Sequence, residues 1–305
     1  MTRIRALCIS LSIWLLAFSA SANTQPALSL TEVSPGIYFH QGKIADLFST
    51  QFDPVANITV IIGEEAVAVI DTGGSRRAGE MLYRAIRQIT ALPIRYVINT
   101  HVHPDHNFGN QAFVSENPEF IAHARYAGDF DAKANYYLQR LSAPWFEGTT
   151  PVAATRLIEK DADIDLGQRR LKLIAHERAH TRHDLTVFDV NSETLIAGDL
   201  LFVDHVPSLD GSLIGWLSVI STLNTMPYQR VIPGHGPIQT GKNAFDAQTH
   251  YLRSLAQEVR AAINQNIDIN TASLTVLRSH ADNWKLFEQF HGRNVIQAYK
   301  ELEWE

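Results

Sequence analysis

An α/β domain built on a largely buried sheet is the fold class this sequence predicts, and three observations predict it. Short apolar runs rich in Val and Ile recur over the first 240 positions, segments of helical period lie between them, and strand, helix and strand follow one another in that order. With 305 residues, 45% of them hydrophobic, the chain can also bury a core of one large domain.

The first 22 residues stand apart. MTRIRALCISLSIWLLAFSASA carries Arg3 and Arg5, an apolar run from Ala6 to Phe18, and the small residues Ala20-Ser21-Ala22. That is the order of a secretory signal peptide cleaved after Ala22, and the run is shorter than the ~20 residues a membrane span needs. The expected product is periplasmic or secreted, with no stable membrane span after processing. Cys8, the sole cysteine, leaves with this segment, which excludes disulfides, thiolate nucleophiles and thiolate metal ligands from the mature chain. Loss of Arg3 and Arg5 leaves 24 basic residues against 32 acidic ones, a formal charge of −8. A nucleic-acid partner is disfavoured by that balance, and a small-molecule substrate is expected instead.

From Gly36 the elements follow in order. GIYFHQG and the two halves of NITVIIGEEAVAVIDTGG read as strands, the latter pair (Ile58–Ile62 and Ala66–Asp71) joined by a turn at Gly63-Glu64-Glu65. Arg76 to Thr90 is helical in period, and PIRYVINT is the strand that follows. EFIAHA is a short strand, and Arg125 to Arg140 is a helix. RLKLIAHE, DLTVFDV and TLIAGDLLF are three closely spaced strands; Ser212 to Thr225 is a helix; QRVIPGHGP is a final strand running into a turn. Lys242 to Glu305 is mostly helical, with a break at Asp268–Ala272. The division is a leader (1–22), an α/β domain (23–240) and a helical C-terminal extension packed on the same domain (241–305).

The chemistry concentrates where PIRYVINT ends. His101, His103, Asp105 and His106 fall within six residues. On an extended segment His101 and His103 point to the same side, and Pro104 can open a helix that turns Asp105 and His106 toward the same place. Four such residues beside a buried strand would be a costly way to cap a helix. Imidazoles with a carboxylate and no thiolate suit zinc or another first-row divalent metal. His180 in AHTRHDL, Asp199 in IAGDLLF and His235 in IPGHGP add three more ligand types at strand termini, where open α/β sheets gather their sites.

This set of motifs resembles the metallo-β-lactamase superfamily over nearly all of Gly36 to Pro237. The resemblance implies an αβ/βα four-layer sandwich and two zinc ions, one held by His101, His103 and His180, the other by Asp105, His106 and His235, with Asp199 bridging. It implies a metallohydrolase in which a metal-bridging hydroxide cleaves an ester, thioester or amide bond, β-lactams included, with Asp105 as both ligand and proton shuttle. More narrowly, AVAVIDTGGS, LPIRYVINTHVHPDHNFGN, LDGSLIGWL and RNVIQAYKELEWE are similar to exported zinc metallohydrolases associated with quinoprotein relay and sulfur-oxidation systems, and imply such a system as partner.

Two other readings use the same ligands. In a persulfide dioxygenase of this superfamily one iron would sit on His101, His180 and Asp199; in a non-catalytic accessory protein the site would only hold a metal or cofactor. The complete set Asp105, His106 and His235 favours two metals over one. Around these residues, Asp71 is placed to accept the second N–H of a ligand histidine. His205 and His183 are loop histidines expected to face the substrate, His123 is expected to be packed, and Tyr136, Tyr137, Trp145 and Phe146 are read as core.

Overall fold

In the computed structural model residues 26–49, 53–141 and 144–305 are described; the expected leader lies outside them. The first sheet comprises β1 (Thr31–Ser34), β2 (Ile37–His40), β3 (Ile58–Ile62), β4 (Val67–Ile70), β5 (Ile94–Ile98), β6 (Glu119–His123) and β7 (Arg156–Ile158), paired in that order. β1 to β4 run antiparallel, and the pairings from β4 to β7 are parallel. The second sheet comprises β8 (Ala162–Asp165), β9 (Arg170–Ala175), β10 (Leu185–Asp189), β11 (Thr194–Phe202), β12 (Arg230–His235) and β13 (Gln239–Thr240). There only β11 and β12 pair in parallel.

The helices are α1 (Arg76–Ile89), α2 (Pro104–Asn107), α3 (Tyr126–Arg140), α4 (Leu213–Leu223), α5 (Asp246–Asn264), α6 (Ile269–Thr275) and α7 (Phe287–Leu302). α1 and α4 are the crossovers that make β4–β5 and β11–β12 parallel. α1 forms because Ala78, Leu82, Ala85 and Ile86 recur at helical spacing behind Ser75, whose side chain accepts the Ala78 N–H. α4 begins in the same way, Ser212 accepting the Gly215 N–H.

Strand periodicity then builds the layers. Val67 and Val69 of β4 pack with Leu82 and Ile86 of α1, whereas Ala68 and Ile70 face the second sheet and meet Leu173, Val187 and Ile196. Each fully buried Val, Ile or Leu contributes roughly 1.5–3 kcal/mol by removal from water. The outer face of the second sheet is covered by Trp216 of α4, Leu255 of α5 and Val295 of α7 in one cluster with Leu195 and Val231. The order helix, sheet, sheet, helix is the metallo-β-lactamase sandwich that the motifs imply, and α5 and α7 form part of its outer helical layer.

Two buried ties lock the sheets together. Asn57, leading into β3, donates its backbone N–H to the Gly234 carbonyl and its Nδ2 to the carbonyls of Pro233 and Gly236, each at 2.8 Å. Arg169 forms a bidentate pair with Asp189 at 2.9 Å and donates to the carbonyls of Pro35 and Ile62. The expected break in the C-terminal helices falls slightly earlier and is followed by a second. Asp268 caps α6 by accepting from Asn270 and Thr271, and the chain leaves helix again between α6 and α7, where Leu277 and Leu286 adopt left-handed φ of 53° and 59°. No helix among the described residues is long and apolar enough to cross a membrane.

Candidate metal centre

The described residues bring the histidines and aspartates of four separate motifs to one place. His101 and His103 follow β5. Asp105 and His106 lie on α2, where Pro104 takes the first helical position and His103 the cap. His180 lies between β9 and β10, and His235 ends β12. Asp199 differs from expectation: it lies inside β11, not at a strand terminus. Gly198 has φ 53°, and the β11–β12 register shifts on either side of it, so an irregularity in mid-strand aims the carboxylate at the cluster. A Cβ on Gly234 of the neighbouring strand would overlap Asp199 Oδ1.

Two groups result, each with donor atoms within 4.8 Å of one another: His101, His103, His180 and Asp199, and then Asp105, His106 and His235. In the first, His103 Nδ1 lies 2.9 Å from His101 Nε2 and 3.1 Å from His180 Nε2. Asp199 Oδ2 is 3.6 and 3.4 Å from the same two Nε2 atoms. In the second, Asp105 Oδ2 lies 3.7 Å from His106 Nε2 and 3.4 Å from His235 Nε2. Asp199 Oδ1 is 3.2 and 3.4 Å from those nitrogens, so its two oxygens face the two groups. Tetrahedral metal bonds of ~2.0–2.1 Å put neighbouring donors ~3.3–3.4 Å apart, which is the scale of these separations.

Proton bookkeeping strengthens the fit. His180 Nδ1 faces the Ser208 carbonyl at 2.5 Å and His235 Nδ1 the Val55 carbonyl at 3.2 Å; a carbonyl only accepts, so both rings donate there. His106 Nδ1 donates to Asp71 Oδ2 at 2.7 Å, and His103 Nε2 to Asp210 Oδ2 at 3.2 Å. The Thr100 hydroxyl gives its hydrogen to Asp71 Oδ2 at 2.8 Å, so it accepts from His101 Nδ1 at 3.0 Å. All five imidazoles thus spend their N–H outward and, when neutral, turn a lone pair inward. Lone pairs this close repel one another unless a cation lies among them. Asp199 Oδ1, buried and with no hydrogen-bond partner, has the same need.

Electrostatics separate the two groups. Burial drives His101 well below the usual imidazole range and His180 down to about 3. Burial would also lower His235, but Asp199 and Asp105 outweigh it and raise the ring to about 9; His106 is raised likewise. Burial raises Asp105, and the charges on His106 and His235 overcome this and bring it down to about 2. In the second group the carboxylates thus favour positive charge at the two inward nitrogens, as protons when no cation lies there.

Asp71 does what the sequence suggests geometrically. It sits at φ 60°, 3% exposed, and accepts from Thr100 N, Thr100 Oγ1 and His106 Nδ1. His205 lines the cavity beside the cluster, its ring tilted against those of Phe202, His235 and Phe290; its Nδ1 donates to the Val206 carbonyl, leaving Nε2 as an acceptor. His183 does not face that cavity. It is fully buried, with Nδ1 3.0 Å from Thr181 Oγ1, Nε2 3.5 Å from Asp129 and its ring edge-on to Tyr126. The expectation of a substrate-facing His183 is corrected by this burial. His123 is packed, its Nε2 against the His176 carbonyl.

The cavity has a volume of about 430 Å³. Tyr136 and Tyr137, read from the sequence as core, line it, whereas Phe146 is buried elsewhere and Trp145 stacks under Arg77. Residues that sequence reasoning missed complete the centre. Asp210 holds both His103 and, at 2.6 Å, Lys133. Phe290, Arg293, Asn294 and Gln297 of α7 form part of the cavity wall.

Comparison with known proteins places this geometry among relatives. The family profile described as "Metallo-beta-lactamase superfamily" matches residues 53–269. A linear primary-alkylsulfatase from Pseudomonas sp. is 30% identical over 155 residues, 49% of this chain and 28% of that protein. Among solved structures, a stereoselective inverting sec-alkylsulfatase from Pseudomonas sp. superposes with a TM-score of 0.69 at 16% identity, over 92% of this chain and 54% of that one. A metallo-beta-lactamase from Pontibacter korlensis gives 0.58 at 19% identity, over 74% and 99%. The chain spans about half or less of the length of these alkylsulfatases, and likeness at such identities establishes the fold.

Proposed function

The chain belongs to the metallo-beta-lactamase superfamily, and on that premise we propose that it is a metal-dependent hydrolase with a dinuclear zinc centre. His101, His103 and His180 would hold one ion, Asp105, His106 and His235 the other, with Asp199 between them. The observation that carries this is the orientation of the five imidazoles, each anchored outward by its N–H and presenting a lone pair inward. Bound there, such ions supply hydroxide at neutral pH and an electrophile for the scissile bond. The chain's own residues do the positioning. Asp71, Asp210, Thr100 and the carbonyls of Ser208 and Val55 fix the tautomer of each ring, and these hydrogen bonds keep the rings from turning. Asp105 lines the cavity and is the carboxylate on which we place proton transfer; His205 offers an acceptor beside it.

The bond cleaved is proposed to be an ester, thioester or amide. Similarity to the linear primary-alkylsulfatase favours a second class, sulfate esters of primary alcohols. The test is metal analysis of the purified protein with hydrolysis assays on carboxylic ester, thioester, lactam and alkyl sulfate panels. Two zinc ions per chain with turnover of one class support the proposal; one iron per chain with dioxygen-dependent persulfide oxidation overturns it. Export, and partnership with a quinoprotein relay or sulfur-oxidation system, rest on the sequence motifs. Recovery of a periplasmic product beginning at Asn23 would support export, and a membrane-bound product with Met1 intact would defeat it.

A further inference from the structure

The cavity over the metal-ligand cluster has two chemically distinct parts. Asp105, Asp199 and His235 lie on its buried side, and Arg140 of α3 and Arg293 of α7 are exposed at its mouth. Among the described residues neither guanidinium is paired with a carboxylate. Each is held instead against an aromatic ring: Arg140 lies 5.0 Å from the Phe48 ring centroid and 5.3 Å from that of Tyr136, and Arg293 lies 5.9 Å from that of Phe290. Stacking restricts a guanidinium while leaving its N–H fork available.

The other charged groups of the lining are carboxylates, each with a partner of its own. Asp210 is taken by His103 and Lys133, Asp46 accepts the Phe48 N–H, and Asp105 and Asp199 belong to the cluster. The two cations of the lining that no carboxylate neutralises therefore lie at its mouth. Between the two ends, Phe48, Tyr137, Phe202, Leu209 and Phe290 supply apolar surface.

We infer that this cavity selects an amphipathic anion: a molecule whose apolar or aromatic body lies on these side chains and whose acidic group, separate from the bond that reacts, is held at the mouth by Arg140 and Arg293. The inference rests on the hydrolase reading only for which end of the cavity reacts. A carboxylate or sulfonate at the mouth would gain charge-assisted hydrogen bonds from either guanidinium fork.

Two fluorescent probes of one shape separate the terms. 8-Anilinonaphthalene-1-sulfonate carries the anion; N-phenyl-1-naphthylamine lacks it. On the zinc-loaded protein the sulfonate is expected to bind about tenfold tighter or more, the lower end for a charge-assisted contact, and to weaken with added salt. The variant Arg140→Gln with Arg293→Gln should abolish that preference while leaving the neutral probe within about threefold, and each single variant should lose part of it. Both positions are exposed on helices that Gln suits, so folding should survive. Equal affinity for the two probes, or sulfonate binding that persists in the double variant, overturns the inference. Failure of the hydrolase reading looks different: no turnover of any ester, thioester, lactam or sulfate panel while the probes are still discriminated.

Discussion

Asp71→Asn is the substitution that tests the centre most directly. Asp71 Oδ1 accepts the Thr100 N–H at 2.9 Å, and Oδ2 accepts both the Thr100 hydroxyl at 2.8 Å and His106 Nδ1–H at 2.7 Å. Asn tolerates the left-handed φ of 60° at least as well as Asp, so the backbone is left alone. An amide, however, offers one accepting oxygen where the carboxylate offers two. If that oxygen serves His106, the NH2 group confronts the Thr100 N–H. If it serves Thr100, the NH2 group faces His106, whose ring must then accept at Nδ1 and carry its hydrogen on Nε2, pointed into the cluster.

Losing one charge-assisted hydrogen bond costs about 1.5–3 kcal/mol, which corresponds to a factor of roughly ten to a hundred in binding. Removing the outer partner of a ligand histidine has a similar effect. Titration of zinc against a chromophoric chelator should therefore show one ion bound as in the parent and the other weakened by about that factor, with activity falling in step. Asp71→Asn protein that binds both ions with unchanged affinity and keeps full activity would reduce Asp71 to a turn residue and refute the reasoning.

His103→Ala and His235→Ala should each lower hydrolysis by on the order of a thousandfold or more, because each removes a donor from a different group; His183→Ala should keep both metals and lose at most ~10–100-fold, and its losing metal as completely as the other two would overturn the ligand sorting. Gly79→Ala sets helix propensity against packing. Ala should gain up to ~1 kcal/mol in α1, but its Cβ would overlap the Gly109 carbonyl, an overpacking of about 1–3 kcal/mol, so a lower urea midpoint is expected. His176 provides a pH dependence: burial lowers it from 6.5 to about 4, so the folded state keeps it neutral while the unfolded chain takes up a proton below 6.5. Its contribution is fully present above pH 6.5 and is lost as pH falls toward 4, by at most about 2 kcal/mol at pH 5. Urea melts at pH 7.5 and 5 should differ less for His176→Gln than for the parent, and an unchanged difference would show that His176 does not report this burial.

What could be read from the sequence depended on how locally each feature is encoded. His101 to His106 are dense in the chain and follow a strand of unmistakable pattern, so their convergence was legible. Ile58–Ile62 and Arg76–Ile89 were legible for the same reason, since apolar period and an N-cap are local signals. Strands β7 and β8, of three and four residues, carry RLI and ADID and are specified by their neighbours rather than by their own composition. Asp199 is legible as a donor but not as a mid-strand one, because the irregularity at Gly198 is a property of its pairing with β12. Asp210 and the α7 wall from Arg293 onward fall in LDGSLIGWL and RNVIQAYKELEWE, stretches that carry a resemblance but no legible role at the site. Asp210 meets His103 across 107 residues and Asn294 meets Pro207 across 87, and no spacing rule links positions that far apart. His183 lies close in sequence to His180 but faces away from the cavity, and only the packing of Tyr126 and Asp129 around it decides that.

The same separations set when the centre can come into being. His106 meets His235 across 129 residues, His103 meets His180 across 77, and Asn57 grips the loop at Gly236 across 179. Contacts of such long range require loop closure before they stabilise anything, so they form late in folding, after the hairpins and the α1 crossover, whose partners are near neighbours in the chain. A donor set spread this widely cannot template the early chain; the two sheets must first meet through their apolar faces. Metal capture is then a closing event, and a folding intermediate with either sheet alone would hold only part of the donor set.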